Sequence, residues 1–343
     1  MLEEIREQPV ALERSLRAGL RDAAALARVV EKRRPRLIVL AARGTSDNAA
    51  QFARYLLEIT TGIPVSLAAP SIYTLYRARV DLRDAMVVAI SQSGESTDTN
   101  LVLERARRQG ALTVGITNEA KSALSGIADH VFLVRAGRER SVAATKTYSG
   151  QLMLCYLLAH ALGAKIAIDD LRRVPEWAAA ALEIEPEVAA RTEGYRFVER
   201  AIVVGRGLNY ANAFEFALKL METCYVLADS FSAADFLHGP IAMVERSFPV
   251  FLFVPPGPTR ASMRQMLDRL RALKAETLVI SNAARSRGDD LTIPVKIARG
   301  IPEDLFTPIP YIIPAQLFAA HLAGRKGLDP DRPRTIEKVT RTL

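Results

Sequence analysis

The chain has 343 residues, 49% of them apolar, a formal charge of +8 and two cysteines. That length supports two domains of ordinary size or one large α/β unit, and two thiols in apolar helical patterns, Cys155 in "LMLCYLL" and Cys224 in "METCYVL", exclude a disulfide scaffold and carry no metal spacing. The positive charge admits nucleic acid, but Lys and Arg alternate with acids in "VLERARRQG" and "LEIEPEVAARTEGYRFVER", the pattern of solvated helix faces, so no nucleic-acid partner is expected.

The opening "MLEEIREQPVALERSLRAG" scatters charge along its length and lacks the apolar heart of a signal peptide. No stretch reaches the roughly 18 to 20 apolar residues of a membrane span. A soluble, cytoplasmic chain with no membrane partner is the expectation. Residues 1–30 read as a helical segment. The strand-like "RLIVLAARG" (36–44) then leads into the amphipathic "DNAAQFARYLLEIT" (47–60), followed by "PVSLAAP", "AMVVAISQSG", "LTVGITN" and "HVFLVRAG". Short apolar runs alternating with helical patterns predict a mainly parallel, three-layer sheet of the doubly wound, flavodoxin-like kind, here over 31–165. Helix is expected from about 141 to 192, with 166–195 as a linker.

The pattern then restarts over 196–325. The strand, Arg-Gly turn and helix of "RLIVLAARGTSDNAAQFARYLLEIT" return in "ERAIVVGRGLNYANAFEFALKLMET", with Gly44 against Gly207 at an offset of 163. Gly94 in "SQSGEST" and Gly257 in "VPPGPTR" share that offset of 163, and Asn118 and Asn282 stand one residue further out. Two homologous α/β halves are inferred, with 326–343 left as a polar tail. The halves differ where chemistry would sit, because the prolines of "VPPGPTR" remove backbone donors that "SQSGEST" keeps.

A loop after a parallel strand that opens a helix is a natural anion site, since the helix's first N–H groups are unpaired and its dipole is positive there. Ser91, Ser93, Ser96 and Thr97 add hydroxyl donors, and Gly94 lets the backbone approach closely. The loop lacks the lysine of a nucleotide P-loop and the first glycine of a G-x-S-x-G elbow, so one phosphate on a small molecule fits better than a triphosphate or an acyl group. The bland alternative is helix capping by Ser96 or Thr97. In "ARGTSDN", Thr45 and Ser46 could reach the same ligand, or Ser46 or Asp47 could simply cap a helix. Further on, Lys219 and Glu222 lie three apart on a helix face, as either an acid–base pair or a surface ion pair. His238 sits in the turn-like "FLHGP", while His130, His160 and His321 read as structural. Lys338 lies in "DPDRPRTIEKVTRTL", which by composition alone is a frayed end.

Taken together, "LEEIREQP", "ARGTSDNAA", "ISQSGESTDT", "VAATKTYSGQL", "GRGLNYANAFEFALKLMET", "FLHGP" and "DRPRTIEKVT" resemble the sugar isomerase (SIS) domain family, in its double-domain branch. That branch holds the isomerase half of the glutamine-dependent glucosamine-6-phosphate synthases and the glucosamine-6-phosphate deaminases built on it. The resemblance implies that Thr45, Ser46, Ser91, Gln92, Ser93 and Ser96 bind a sugar 6-phosphate, with Val142 and Ala144 at the sugar. It implies Glu222 as the base between C1 and C2, Lys219 beside it, His238 as the ring-opening group donated by the partner in a homodimer, and Lys338 as the amine of a closing tail. No metal or cofactor is implied, since Glu, His and Lys supply the proton transfers and the carbonyl chemistry. The sequence departs from the synthase pattern in having Arg43 for Cys, Ser96 for Thr and Ala144 for Ser, and it opens directly on the isomerase-like segment. Conversion of glucosamine 6-phosphate to fructose 6-phosphate and ammonia is the expectation. The alternatives are an isomerase or deglycase for another amino-linked sugar phosphate, a synthase-related isomerase, and a non-catalytic sugar-phosphate sensor.

Overall fold

A computed structural model of the chain describes residues 1–282, 290–292, 304–336 and 338. The fold divides into two compact units. An N-terminal unit comprises Val10–Glu139 and Lys146–Arg173 and takes in Ile336 and Lys338, whereas a C-terminal unit comprises Met1–Pro9, Arg140–Thr145 and the described part of Val174–Thr335. The units therefore exchange short segments instead of following one another along the chain.

In the N-terminal unit, β1 (Leu37–Ala41), β2 (Val65–Leu67), β3 (Ala85–Ile90), β4 (Leu112–Thr117) and β5 (His130–Leu133) form one sheet in the order β2-β1-β3-β4-β5, all parallel. All six residues of β3 and all six of β4 are buried, as a parallel sheet covered on both faces requires. One face carries α1 (Thr97–Arg108), whose Val102, Leu103 and Ala106 pack with Val39, Val87 and Ala89 of the strands. The chain enters the sheet through a long helix, Gln8–Arg33, and the second layer holds α2 (Thr45–Thr61) and α3 (Lys146–Ala161), joined by Phe52 edge-on to Tyr156 with ring centroids 5.2 Å apart. Every residue of α3 except His160 is buried, so this helix lies in the core.

The C-terminal unit repeats the plan. β6 (Arg200–Gly205), β7 (Leu227–Ser232), β8 (Pro249–Phe253), β9 (Glu276–Ser281) and β10 (Asp290–Thr292) are ordered β7-β6-β8-β9-β10 and again parallel. Helices α4 (Tyr210–Cys224) and α5 (Pro308–Arg325) cover one face, where Phe216, Phe251 and Phe318 meet with centroids 5.0 to 5.9 Å apart. α/β architecture in two duplicated halves is thus what the chain adopts. The turn glycines paired by sequence offset all have positive φ, +55° at Gly44, +60° at Gly207, +66° at Gly94 and +91° at Gly257. No helix among the described residues is long and apolar enough to cross a membrane.

One local expectation changes. Helix begins at Lys146, and residues 134–145 are irregular, with several of their N–H groups bonded to distant segments. Those of Arg140 and Ser141 donate to the Glu4 carboxylate, and that of Val142 donates to the Asp331 carbonyl at 3.2 Å. The two thiols are core groups: burial pushes Cys155 up to about 12 and Cys224 up to about 11.

Candidate active site

In a sheet ordered 2-1-3-4-5, ligands bind beyond the carboxyl ends of the strands where the winding reverses, between β1 and β3. In the N-terminal unit the two loops at that point are Arg43–Ser46 and Ser91–Thr97. Thr45 is the first residue of α2. Ser46 is buried and accepts a 2.9 Å hydrogen bond from Gln151 Nε2 of α3.

In the second loop Ser91 is buried, Ser93 and Ser96 are half-buried and Thr97 is exposed. Ser91 Oγ accepts the Gly94 N–H at 3.1 Å and Ser93 Oγ accepts the Glu95 N–H at 3.2 Å, so each hydroxyl keeps its proton for a further acceptor. Ser96 stands at the N-cap of α1, yet its side chain makes no cap bond and donates instead to Asp98 Oδ1 at 2.9 Å. Simple capping by Ser96 is therefore not what the loop does. Gln92 sits one residue before Ser93, and its Nε2 donates to Glu139 Oε2 at 3.4 Å. Asp98 is 2% exposed and would repel an anion at this helix end, but Arg43 Nε and Nη2 both donate to its Oδ2 at 2.7 Å. Position 43, a departure from the synthase pattern, thus gives the buried Asp98 beside the loop a cationic partner. Gly94 has φ of +66°, and a Cβ there would lie 2.2 Å from Ser122 Oγ. Gly94→Ala should therefore cost about 2–4 kcal/mol of stability, from left-handed backbone strain and overpacking together, measured by urea unfolding; a loss well under 1 kcal/mol would show that the loop tolerates another shape.

The other candidates fall in the C-terminal unit, apart from Lys338. Val142 is half-buried and Ala144 buried, on a strap held by Glu4 and by Ser141 Oγ donating to the Pro330 carbonyl at 3.3 Å. On α4, Lys219 is completely buried, which removes the surface-pair reading. Its Nζ lies 2.5 Å from Glu222 Oε2 and 3.4 Å from Glu215 Oε1, whereas the Glu222 side chain keeps 23% exposure. A lysine sunk between two carboxylates leaves one of them, Glu222, open to a ligand. His238 ends a short helix, Ala233–Leu237, and is exposed, its backbone N–H bonded to the Asp235 carbonyl at 3.1 Å. The tail is anchored where Arg334 stacks over the Tyr225 ring, 4.1 Å from its centroid, and gives its N–H to the Tyr225 hydroxyl at 2.8 Å. Beyond it, in the N-terminal unit, Lys338 Nζ lies 3.4 Å from Glu139 Oε2.

Three side chains that meet the candidate residues or their strap escape a reading by motif: Glu4, Glu139 and Glu215. Glu215 carried a signal, the i, i+4 spacing to Lys219. The partners of Glu4 and Glu139 lie more than 100 residues away in sequence or in other loops, so no local pattern marks them.

A family model described as SIS domain matches residues 32–161 and 196–324. The glutamine–fructose-6-phosphate aminotransferase (isomerizing) of Pyrococcus horikoshii is 35% identical over 98% of this chain, and the chain spans 57% of that relative's length. The solved C-terminal domain of glucosamine-fructose-6-phosphate aminotransferase from Francisella tularensis is 28% identical, superposes with a TM-score of 0.87 and is covered over 97% of each chain. Glucosamine-6-phosphate deaminase from Thermotoga maritima superposes with a TM-score of 0.80 over 99% of each chain, and at 19% identity it shares the fold alone.

Proposed function

This chain belongs to the SIS domain family, and from that premise we propose that it isomerises a hexose or amino-hexose 6-phosphate by moving a proton between C1 and C2. Glucosamine 6-phosphate is the first substrate assigned. Ring opening transfers the O1 proton to the ring oxygen, breaking the C1–O5 bond, and His238 is the group suited to relay it near neutral pH. Glu222 then takes the C2 proton and returns one to C1, while a proton passes from the amino nitrogen to O1, which turns the 2-amino aldehyde into a 1-hydroxy-2-imino sugar. The Lys338 amine adds to C2 and ammonia leaves, so that the lysine holds C2 as a Schiff base. Water then hydrolyses that C=N bond, giving fructose 6-phosphate and the free lysine. Ser91, Ser93, Ser96 and the first turn of α1 hold the phosphate, with Thr45, Ser46 and Gln92 beside them and Val142 and Ala144 against the sugar.

The observation that carries the reading is Glu222, a carboxylate left partly open while the lysine that braces it is completely buried. A base that must reach two adjacent carbons gains from such bracing, because orientation is set before the sugar arrives. The proposal includes a cytoplasmic homodimer in which His238, exposed and at the tip of a short helix, serves the partner's substrate. A second reading, isomerisation without release of ammonia, is favoured by the 35% identity to an isomerizing aminotransferase. Incubation with glucosamine 6-phosphate, following ammonia and fructose 6-phosphate together, separates the two. Ammonia release supports deamination; none, with interconversion of fructose and glucose 6-phosphates, supports the second reading; no turnover of either removes both.

Ser93→Ala tests the phosphate assignment. Loss of a hydrogen bond to a charged group should weaken binding of fructose 6-phosphate by about 1.5–3 kcal/mol, measured by titration calorimetry. Unchanged affinity would move the phosphate elsewhere.

A further inference from the structure

Glu139 is not part of the chemistry assigned above, yet three separate segments of the N-terminal unit converge on it. Its side chain has no exposure to solvent. Gln92 Nε2 of the hydroxyl loop donates to Oε2 at 3.4 Å, the Thr147 N–H at the start of α3 donates to Oε1 at 3.2 Å, and Lys338 Nζ lies 3.4 Å from Oε2. Such a carboxylate is tolerable in the interior only with donors and a cation around it. The cation here comes from 199 residues away in the chain.

We propose that Glu139 is a positioning residue that seats the Lys338 amine and ties it, through Gln92, to the loop assigned to the phosphate. This rests on the reading of Lys338 as the carbonyl-binding amine. The physical argument is one of entropy: a lysine near the end of the chain carries many rotamers, and a buried counter-charge selects among them before substrate binds. The same Oε2 meets Gln92 and Lys338, so a ligand that reorients the Gln92 amide alters the bond that competes with Lys338 for that oxygen. Occupancy of the loop and release of the amine are thereby linked.

The test uses the full chain and three variants, Glu139→Gln, Lys338→Met and the double variant, each checked for folding by its melting curve. The amide oxygen of Gln can still accept the Thr147 N–H, while its NH2 replaces the oxygen that accepts from Gln92 and faces Lys338, so Glu139→Gln removes both the charge and the tie to Gln92. Its kcat should fall about 100-fold, the scale of a misplaced reacting group, while KM changes much less. The double variant should be no slower than Lys338→Met alone, since both changes act through one amine. With no sugar present, acetylation read by peptide mass spectrometry should modify Lys338 severalfold faster in Glu139→Gln, other lysines being unchanged. Should Glu139→Gln not fold, Glu139→Asp carries the same readouts, with the charge kept but drawn back by one methylene. Wild-type kcat and unchanged Lys338 reactivity would overturn the proposal, as would full additivity in the double variant. Faster acetylation in a wild-type-inactive protein would instead uphold the seating of Lys338 and reject the assigned reaction.

Discussion

Glu222→Gln is expected to lower turnover of glucosamine 6-phosphate by about 10²–10⁴-fold, the contribution of a positioned general base, with sugar-phosphate affinity nearly intact. The substitution keeps the shape of the side chain and removes only its ability to take the C2 proton. The fold should tolerate it, because Lys219 retains Glu215, 3.4 Å from its Nζ, as a counter-charge. Two measurements bear on this. Coupled detection of ammonia and fructose 6-phosphate reports turnover, and NMR in deuterated water reports exchange at C2 directly. Both should be lost together, while calorimetry with fructose 6-phosphate shows binding close to that of the wild type. Retained C2 exchange, or affinity falling as far as turnover, would remove Glu222 from the role of base.

Lys219→Met should be the most destabilising single change around the site, at about 3–5 kcal/mol, because removing one partner of a buried ion pair strands the other. Glu215 has no exposed surface in this arrangement, so water cannot replace the lost ammonium. The effect should be read from urea unfolding at neutral pH. Glu215→Gln with Lys219→Met is expected to recover much of the loss, since the fully buried carboxylate is then neutral and the remaining one, Glu222, reaches solvent. The double variant should nevertheless stay slow, since Glu222 loses the group that braces it at 2.5 Å. A Lys219→Met loss below about 1 kcal/mol, the ordinary scale of an exposed pair, would show that the buried cluster opens to solvent.

These two expectations divide labour along α4. Glu215 and Lys219 are structural charges whose burial fixes the helix face, and Glu222 is the carboxylate they present. Ser93 and Gly94 lie in the other unit, and on the proposed function their variants should change phosphate affinity and loop stability while leaving C2 exchange to Glu222.

The sequence by itself determined the duplicated α/β plan. Strand-length apolar runs, positive-φ glycines after β1, β3, β6 and β8, and an offset of 163 between Gly44 and Gly207 are local features that each half repeats. It also marked the hydroxyl loop, because four hydroxyls around one glycine exceed what capping needs. Tertiary structure alone decided what those residues meet. Spacing left Lys219 and Glu222 as either a surface pair or a working pair; complete burial of Lys219 removes the surface reading. Composition made the tail a frayed end, whereas Arg334 on Tyr225 and Lys338 on Glu139 hold it through contacts across 109 and 199 residues of chain. Arg43 read as a departure from pattern, and its bond to the buried Asp98 explains it. The physical reason is common to all three. Periodicity and turn residues act within a few positions, but the environment of a charge is set by whichever distant segments fold around it.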